Sequence, residues 1–174
     1  MANNNNPHGL KPLGYSLSGA PCVVEIMTAA AAYGTAIFMY DAVNQVAGGA
    51  LQASATPGTT LYSGVSLDYG AASVQQDHIV FCTPDAVFEC QDDGTGSGII
   101  ASTIGQNANL VLTAGNAQTK VSKHQIAAST IATTSTLDVK LLRLLNVPTN
   151  SYGVNAVAEI AFNKHRYGQG VAGV

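Results

Sequence analysis

The sequence predicts a mainly β fold, an antiparallel β-barrel or β-sandwich with few short helices. Short runs rich in β-branched and aromatic residues recur along the 174 residues, and Gly-, Pro- and Thr-containing segments separate them. No long stretch carries the 3.6-residue apolar period of an amphipathic helix. Strands with turn residues between them are typical of an all-β barrel or sandwich. We expect an extended N-terminal arm at residues 1–20, one β domain at 21–165 and a Gly-rich C-terminal tail at 166–174.

The first twenty residues lack a periodic pattern. An Asn-rich start is followed by closely spaced Pro and Gly residues, and proline cannot continue a helix. Leu10, Leu13 and Tyr15 are the apolar anchors of this segment. It is either a frayed terminus or a segment that becomes ordered on a partner, and the anchors favour a partner. The start lacks the charged and apolar regions of a signal peptide, so we expect none.

Apolar runs through the rest of the chain predict single strands. They lie at residues 22–27, 35–40, 61–67 and 155–162. Residues 29–32 favour a short helical turn, which Gly34 ends. Two Asp and three Gly residues at 92–98 predict a loop.

One segment supports two interpretations. Leu137, Val139 and Leu141 lie at alternate positions, as in a half-buried strand. The continuation at 142–145 breaks this alternation. A helix capped by Ser135, with leucines on one stripe, is therefore the alternative.

Residues 78–91 predict a β-hairpin. Two apolar runs flank Thr83–Ala86, where Pro and Asp at the central positions suit a type I turn. In the register that this turn implies, Phe81 faces Phe88. Cys82 and Cys90 then lie on neighbouring strands but on opposite faces, so we expect both thiols to be reduced.

Composition excludes several classes of protein. Charged residues make up only 10% of the chain, against about 25% in ordinary soluble domains. A surface with so few charges is usually covered by partners. The net charge of −3 argues against nucleic-acid binding, and no apolar run approaches the length of a membrane-spanning helix. Three cysteines without C-x-x-C spacing predict free thiols in a reducing cytosol.

The sequence contains no recognisable catalytic or metal-binding motif. The four histidines are scattered singly, and no pattern matches a phosphate-binding loop or a zinc site. The Asp-rich loop at 92–98 lacks the alternating acids and the terminal Glu of a calcium loop. We therefore expect a protein that is not an enzyme, with no catalytic residues, no metal and no cofactor.

The charges are divided unevenly along the chain. Residues 12–119 hold eight acidic and no basic side chains, whereas residues 120–174 carry a net charge of +4. The division is either a chance of composition or a pair of complementary surfaces. In the second case we expect subunits to meet head to tail around a three-fold axis, because such a contact joins two different patches. The candidate subunit-contact charges are Asp85, Asp92, Asp93, Lys140 and Arg143.

Three stretches resemble a family of tailed-bacteriophage capsid cement proteins, also called head decoration proteins. Residues 2–14 are similar to their Asn-rich start and N-P-F-G-L-R/K-P segment. Residues 83–94 resemble their D-P-D-x-V-F-E-I-Q-x-D-G block, and residues 134–165 resemble their closing segment. His8 stands where the family usually has Phe, and residues 166–174 extend past its usual end.

The resemblance implies a non-enzymatic virion protein that is made in the host cytoplasm and binds the outer surface of an assembled capsid. Its expected partners are the major capsid protein and itself, as a homotrimer, with no nucleic acid and no membrane. The candidate capsid-contact residues of the arm are Pro7, Leu10, Lys11, Leu13 and Tyr15. A receptor- or glycan-binding β domain of a phage tail or fibre is the alternative, and a small hydrolase is disfavoured because no motif supports it.

Overall fold

The computed structural model describes residues 3–168, which contain twelve strands and two short 3-10 helices at Ala101–Thr103 and Ala128–Thr130. This is the mainly β fold that the sequence predicts. The strands are β1 (Lys11–Ser16), β2 (Val24–Ala29), β3 (Ala42–Gln45), β4 (Leu51–Ala53), β5 (Gly64–Ser66), β6 (Gln76–Phe81), β7 (Ala86–Gln91), β8 (Asn107–Ala108), β9 (Leu110–Val111), β10 (Gln125–Ile126), β11 (Val139–Leu144) and β12 (Val157–Phe162).

Five strands form an antiparallel sheet in the order β1-β7-β12-β11-β8. Successive side chains of a strand point to opposite sides of a sheet. Phe88, Leu141 and Ile160 point to the inner side, where each is at most 1% exposed. The opposite side is called the outer face below.

Five further strands close into a small barrel in the order β2-β4-β3-β5-β6. β2 and β6 pair antiparallel along their whole length. Parallel pairing of Ala29 with Leu51 joins β2 to β4 and closes the barrel. Met27, Val43 and Val80 fill its interior. β9 and β10 form a separate two-stranded sheet.

The barrel and the sheet share the main hydrophobic core. Val65 and Phe81 on barrel strands pack with Phe88 and Ile160 on the inner side of the sheet. The rings of Phe81 and Phe88 meet edge to face, with their centroids 5.9 Å apart. Each of the two units therefore buries the apolar side of the other.

The prediction of a separate N-terminal arm is wrong for residues 9–16. β1 pairs with β7, and Leu10 is fully buried in the main core. The Leu10 N–H donates to the Tyr40 carbonyl at 3.0 Å. Gly9 has φ +75°, and a Cβ at this position would lie 2.4 Å from the Ser122 Cβ, so only glycine fits. Of the three anchors that favoured a partner, Leu10 is therefore used inside the domain.

The prediction of a hairpin at 78–91 is also wrong, although both of its strands and its turn exist. The Ala86 N–H donates to the Thr83 carbonyl at 3.2 Å, which closes the turn. β6 pairs with β2 and β5, whereas β7 pairs with β1 and β12. Because both strands have other partners on each side, the turn leads from the barrel into the sheet instead of joining one ladder.

The three cysteines are free. Cys82 lies in the barrel interior and Cys90 in the main core, so the two do not lie on neighbouring strands as the hairpin register implied. Burial raises the pKa of the Cys82 thiol to about 11 and also raises the pKa of the Cys90 thiol. Both thiols are therefore protonated at neutral pH.

The structure decides between the two interpretations of residues 137–145. They contain a strand, β11, with Val139 and Leu141 buried, so the helix capped by Ser135 is wrong. The pairing of β11 with β12 shifts between Leu141 and Arg143, which marks a β-bulge at Leu142. This extra residue is the physical reason that the alternation breaks in the sequence.

The remaining predictions have mixed outcomes. The strands predicted at 22–27, 61–67 and 155–162 are confirmed as β2, β5 and β12, with shifted ends. Residues 35–40 make only isolated bridges, and residues 29–32 form a turn instead of a helix. In the predicted C-terminal tail, residues 169–174 lie outside the described part of the chain.

Candidate interaction surface

The outer face of the five-stranded sheet carries a row of four charged residues in direct cross-strand register. Lys11 on β1 lies opposite Glu89 on β7, Glu89 lies opposite Glu159 on β12, and Glu159 lies opposite Arg143 on β11. The row brings together Lys11 and Arg143, two candidate residues that are 132 positions apart in the sequence. It is called the charged row below.

The carboxylates of the charged row lie deeper than its cations. Lys11 Nζ lies 3.1 Å from Glu89 Oε1, and Arg143 Nε lies 2.8 Å from Glu159 Oε2. The Glu side chains are 14% and 8% exposed, whereas Lys11 and Arg143 are 50% and 65% exposed. A molecule that touches this face therefore meets the cationic ends first.

The bulge in β11 sets which charges reach this face. Lys140 and Arg143 are three residues apart, so in a regular strand they would point to opposite sides of the sheet. The extra residue at Leu142 restores Arg143 to the outer face, where it meets Glu159. Lys140 is opposite Ala161 and exposed, and no ion pair to it occurs among residues 3–168.

Tyr15 is held in place by the charged row. Its hydroxyl donates to Glu159 Oε2 and accepts from Arg143 Nη2 at 2.9 Å. Desolvation, followed by the hydrogen bond to Glu159, raises the pKa of Tyr15 above its ordinary value. Tyr15 is still 37% exposed. The side chains of Tyr15 and Arg143 thus form an ordered, accessible pair.

A shallow pocket of about 270 Å³ lies beside this pair. Tyr15, Leu17, Leu142 and Arg143 are among the residues that line it, with Glu159 at its base. Leu17 is 58% exposed. The pocket, called the sheet pocket below, combines apolar, aromatic and cationic groups, which are residue types found in protein–protein interfaces.

Two of the predicted arm contacts lie away from this face. Leu10 is in the main core and cannot contact a partner, so that assignment is wrong. Pro7 is half-buried beside a groove next to Ser122 and Lys123. Leu13 is half-buried in the part of β1 where the pairing with β7 shifts register.

Asp92 is not a subunit-contact charge. It is fully buried, and its carboxylate accepts the backbone N–H groups of Gly94, Asn155 and Ala156 at 2.6, 3.1 and 2.9 Å. Burial raises its pKa, while these three hydrogen bonds act in the opposite direction. Asp92 therefore fastens the loop at 92–98 to the chain before β12.

The other predicted acids also bind their own backbone. Asp85 Oδ2 accepts from the Ser18 N–H at 2.8 Å. A hydrogen bond with the Ser18 side chain, followed by this backbone bond, lowers the pKa of Asp85. Asp93 Oδ1 accepts from the Thr95 and Ala128 N–H groups. Arg143 is bound to Glu159 within one chain. Asp85, Asp93 and Arg143 thus form their hydrogen bonds and ion pairs within the chain.

A second exposed surface, on the barrel, was not predicted from the sequence. Ile26 on β2 lies directly opposite Ile79 on β6, and they are 74% and 47% exposed. Val24, two residues before Ile26, is 52% exposed. These three residues are called the barrel patch below. The apolar run at 22–27, which is interrupted by Glu25, was the available signal in the sequence.

Ser122, His124 and Asp41 meet in the core, but not in the geometry of a catalytic triad. All three are at most 3% exposed. His124 Nδ1 accepts the Ala42 N–H at 3.2 Å, and His124 Nε2 lies 3.4 Å from Asp41 Oδ1. Ser122 Oγ accepts the His124 backbone N–H instead of bonding to the ring. Nδ1 is occupied by the Ala42 N–H, and the 3.4 Å approach of Nε2 to Asp41 Oδ1 is not a hydrogen bond, so the ring is not arranged as a general base for this serine.

Acid is expected to destabilise the fold through His124. Burial lowers the pKa of His124 from 6.5 to about 3. The stabilisation of the folded state by neutral His124 is therefore complete above pH 6.5 and is lost as the pH falls toward 3. His165, with its pKa lowered to about 4 by burial, acts in the same sense. Burial raises the pKa of Asp41 from 3.8 to about 6, so its protonation between pH 6 and 3.8 favours the folded state.

Replacing His124 with glutamine should therefore flatten the dependence of stability on pH. Between pH 7 and 5 we expect the variant to lose about 2 kcal/mol less free energy of unfolding than the wild type. Urea denaturation at the two pH values measures the difference. Between pH 8 and 7 the two proteins should change in parallel, and equal losses at pH 5 would contradict the assignment.

Comparisons of the chain with protein-family models, curated proteins and solved structures yield no match. Among residues 3–168, no group of three or more His, Cys, Asp or Glu side chains is arranged to hold a metal ion. Within the same residues, no helix has the length and apolar character needed to span a membrane.

Proposed function

We propose that this protein is a non-enzymatic virion structural protein that binds the outer surface of an assembled phage capsid and reinforces contacts between major capsid protein subunits. In this proposal it acts as a homotrimer on the shell and requires no cofactor. The resemblance of residues 2–14, 83–94 and 134–165 to capsid cement proteins supports it.

The observation that carries the proposal is the ordered Tyr15–Arg143 pair on the outer face. Tyrosine and arginine dominate the binding energy of protein interfaces. Glu159 already bonds to both side chains, so little rotamer entropy remains to be lost on binding. The sheet pocket beside them can receive a side chain of the capsid protein, and exposed Lys11 and Lys140 extend the contact.

Electron microscopy of particles purified with this chain tests the proposal. We expect density for the chain on the outside of the shell. Density on the tail or a fibre would instead support the alternative, a receptor- or glycan-binding domain, and would overturn the capsid proposal.

The Tyr15→Ala variant tests the contact surface. We expect it to weaken binding to shells that lack this protein by about tenfold or more, which is the effect of losing an interface hot spot. Cosedimentation measures the affinity, and thermal unfolding checks that the variant is folded. Tyr152→Ala is the matched control, because Tyr152 is 49% exposed but does not line the sheet pocket. Equal affinities of the Tyr15 variant and the wild type would exclude this face as the contact.

A further inference from the structure

We propose that the barrel patch is a second docking surface, which binds a neighbouring capsid subunit through aliphatic side chains surrounded by lysine or arginine. This inference rests on the proposed function and adds the contact through which one copy can hold two subunits together.

The exposure of the barrel patch has no explanation within the described fold. Ile26 and Ile79 form a direct cross-strand pair, and Val24 extends it along β2. A sheet side that faces water normally carries polar residues at such positions. Contiguous exposed aliphatic residues on a folded protein mark a surface that a partner covers.

The charges around the patch define the chemistry of the partner. Asp77, exposed on β6, lies two residues before Ile79 and therefore on the same side of the strand. Asp68 Oδ2 accepts the Ile79 N–H at 3.1 Å. No Lys or Arg occurs from residue 12 to residue 119, so every charged side chain that the barrel strands present is acidic. The complementary surface must therefore carry basic groups around its apolar centre.

Charge also argues against a second copy of this patch as the occupant. A two-fold contact matches a patch with itself, so the acids beside Ile79, Asp77 and Asp68, would meet acids of the same kind. The outer face of the same copy is also separated from the barrel, because the main core lies between the barrel and the inner side of the sheet. The two surfaces can therefore bind different subunits at the same time.

The experiment compares shell binding and shell stability for two surface variants. Ile26→Thr/Ile79→Thr removes the aliphatic pair but keeps β-branched residues, which suit a strand. Val147→Thr, at a residue that is 41% exposed and outside the patch, is the control. Asp77→Lys tests the charge. The probe is the capsid purified without this protein, and the readouts are cosedimentation at low and high salt and calorimetry of the shell.

We expect the double variant to bind shells about tenfold more weakly and to lose the gain in shell melting temperature, while Val147→Thr matches the wild type. Asp77→Lys should weaken binding at low salt, with a smaller deficit at high salt.

If the wild type binds shells and Tyr15→Ala does not, but the double variant equals the wild type in both readouts, the barrel inference fails and the proposed function stands. If the double mutation lowers the oligomeric mass of the free protein but leaves shell binding unchanged, the patch binds a second copy of the chain and the inference fails. If the wild type does not bind shells, both proposals fail.

Discussion

Replacing Leu10 with alanine is expected to lower the free energy of unfolding by about 2–5 kcal/mol. Leu10 is fully buried in the core that the barrel and the sheet share, and the substitution leaves a cavity there. The backbone bond from residue 10 to the Tyr40 carbonyl is kept in this variant, so the change measures the side chain alone. Urea denaturation of the isolated protein measures the change.

Leu17→Ala is the matched control for this prediction. Leu17 lies just after β1 and is 58% exposed, so its truncation should change stability by no more than about 0.5 kcal/mol. If Leu10 served only a partner contact, both variants would unfold at the wild-type urea concentration. A loss of stability in Leu10→Ala but not in Leu17→Ala would show that Leu10 is a core residue and not an arm residue.

Replacing Asp92 with alanine is expected to cost about 3 kcal/mol or more of folding free energy. Three backbone N–H groups lose their acceptor, and each unsatisfied buried donor costs about 1–3 kcal/mol. Asp92→Asn should cost less, because one carbonyl oxygen remains to accept. Thermal and urea unfolding of both variants give the comparison.

Asp77→Ala provides the control for the loss of negative charge. Asp77 is exposed, and its carboxylate accepts a hydrogen bond from the Thr28 hydroxyl. We therefore expect the free energy of unfolding to change by no more than about 0.5 kcal/mol. Wild-type stability of Asp92→Ala in the isolated protein would mean that the buried hydrogen bonds are not formed as described.

Local patterns predicted the strands but not their partners. Gln76–Phe81 and Ala86–Gln91 are both strands, since β-branched and aromatic residues suit a pleated, half-buried surface. Their pairing depends on which other strands compete for each edge, and β1 and β2 come from much earlier in the chain. The Thr83–Ala86 turn alone therefore could not determine that the two strands belong to different sheets.

The site was predictable in part. Lys11, Tyr15 and Arg143 stood out in the sequence as exposed or anchoring types, and the structure brings them together. Their meeting depends on the bulge at Leu142, which appears in the sequence only as a broken alternation. Asp92 was predicted to contact a neighbouring subunit because of the uneven charge along the chain. Its donors are Gly94, two residues away, and Asn155 and Ala156, 63 and 64 residues away, so no local pattern could show them.

The order of signs in the charged row determines how far its field reaches. Read across the sheet, Lys11, Glu89, Glu159 and Arg143 are positive, negative, negative and positive, which gives no net charge and no dipole along the row. What remains is a linear quadrupole, whose potential decays much faster with distance than that of a single charge. Salt screens it further beyond about 10 Å. Two such faces stacked about a two-fold axis would oppose like signs at every position. The row can thus act on a partner at contact, yet it neither steers distant molecules nor lets two sheets adhere to each other.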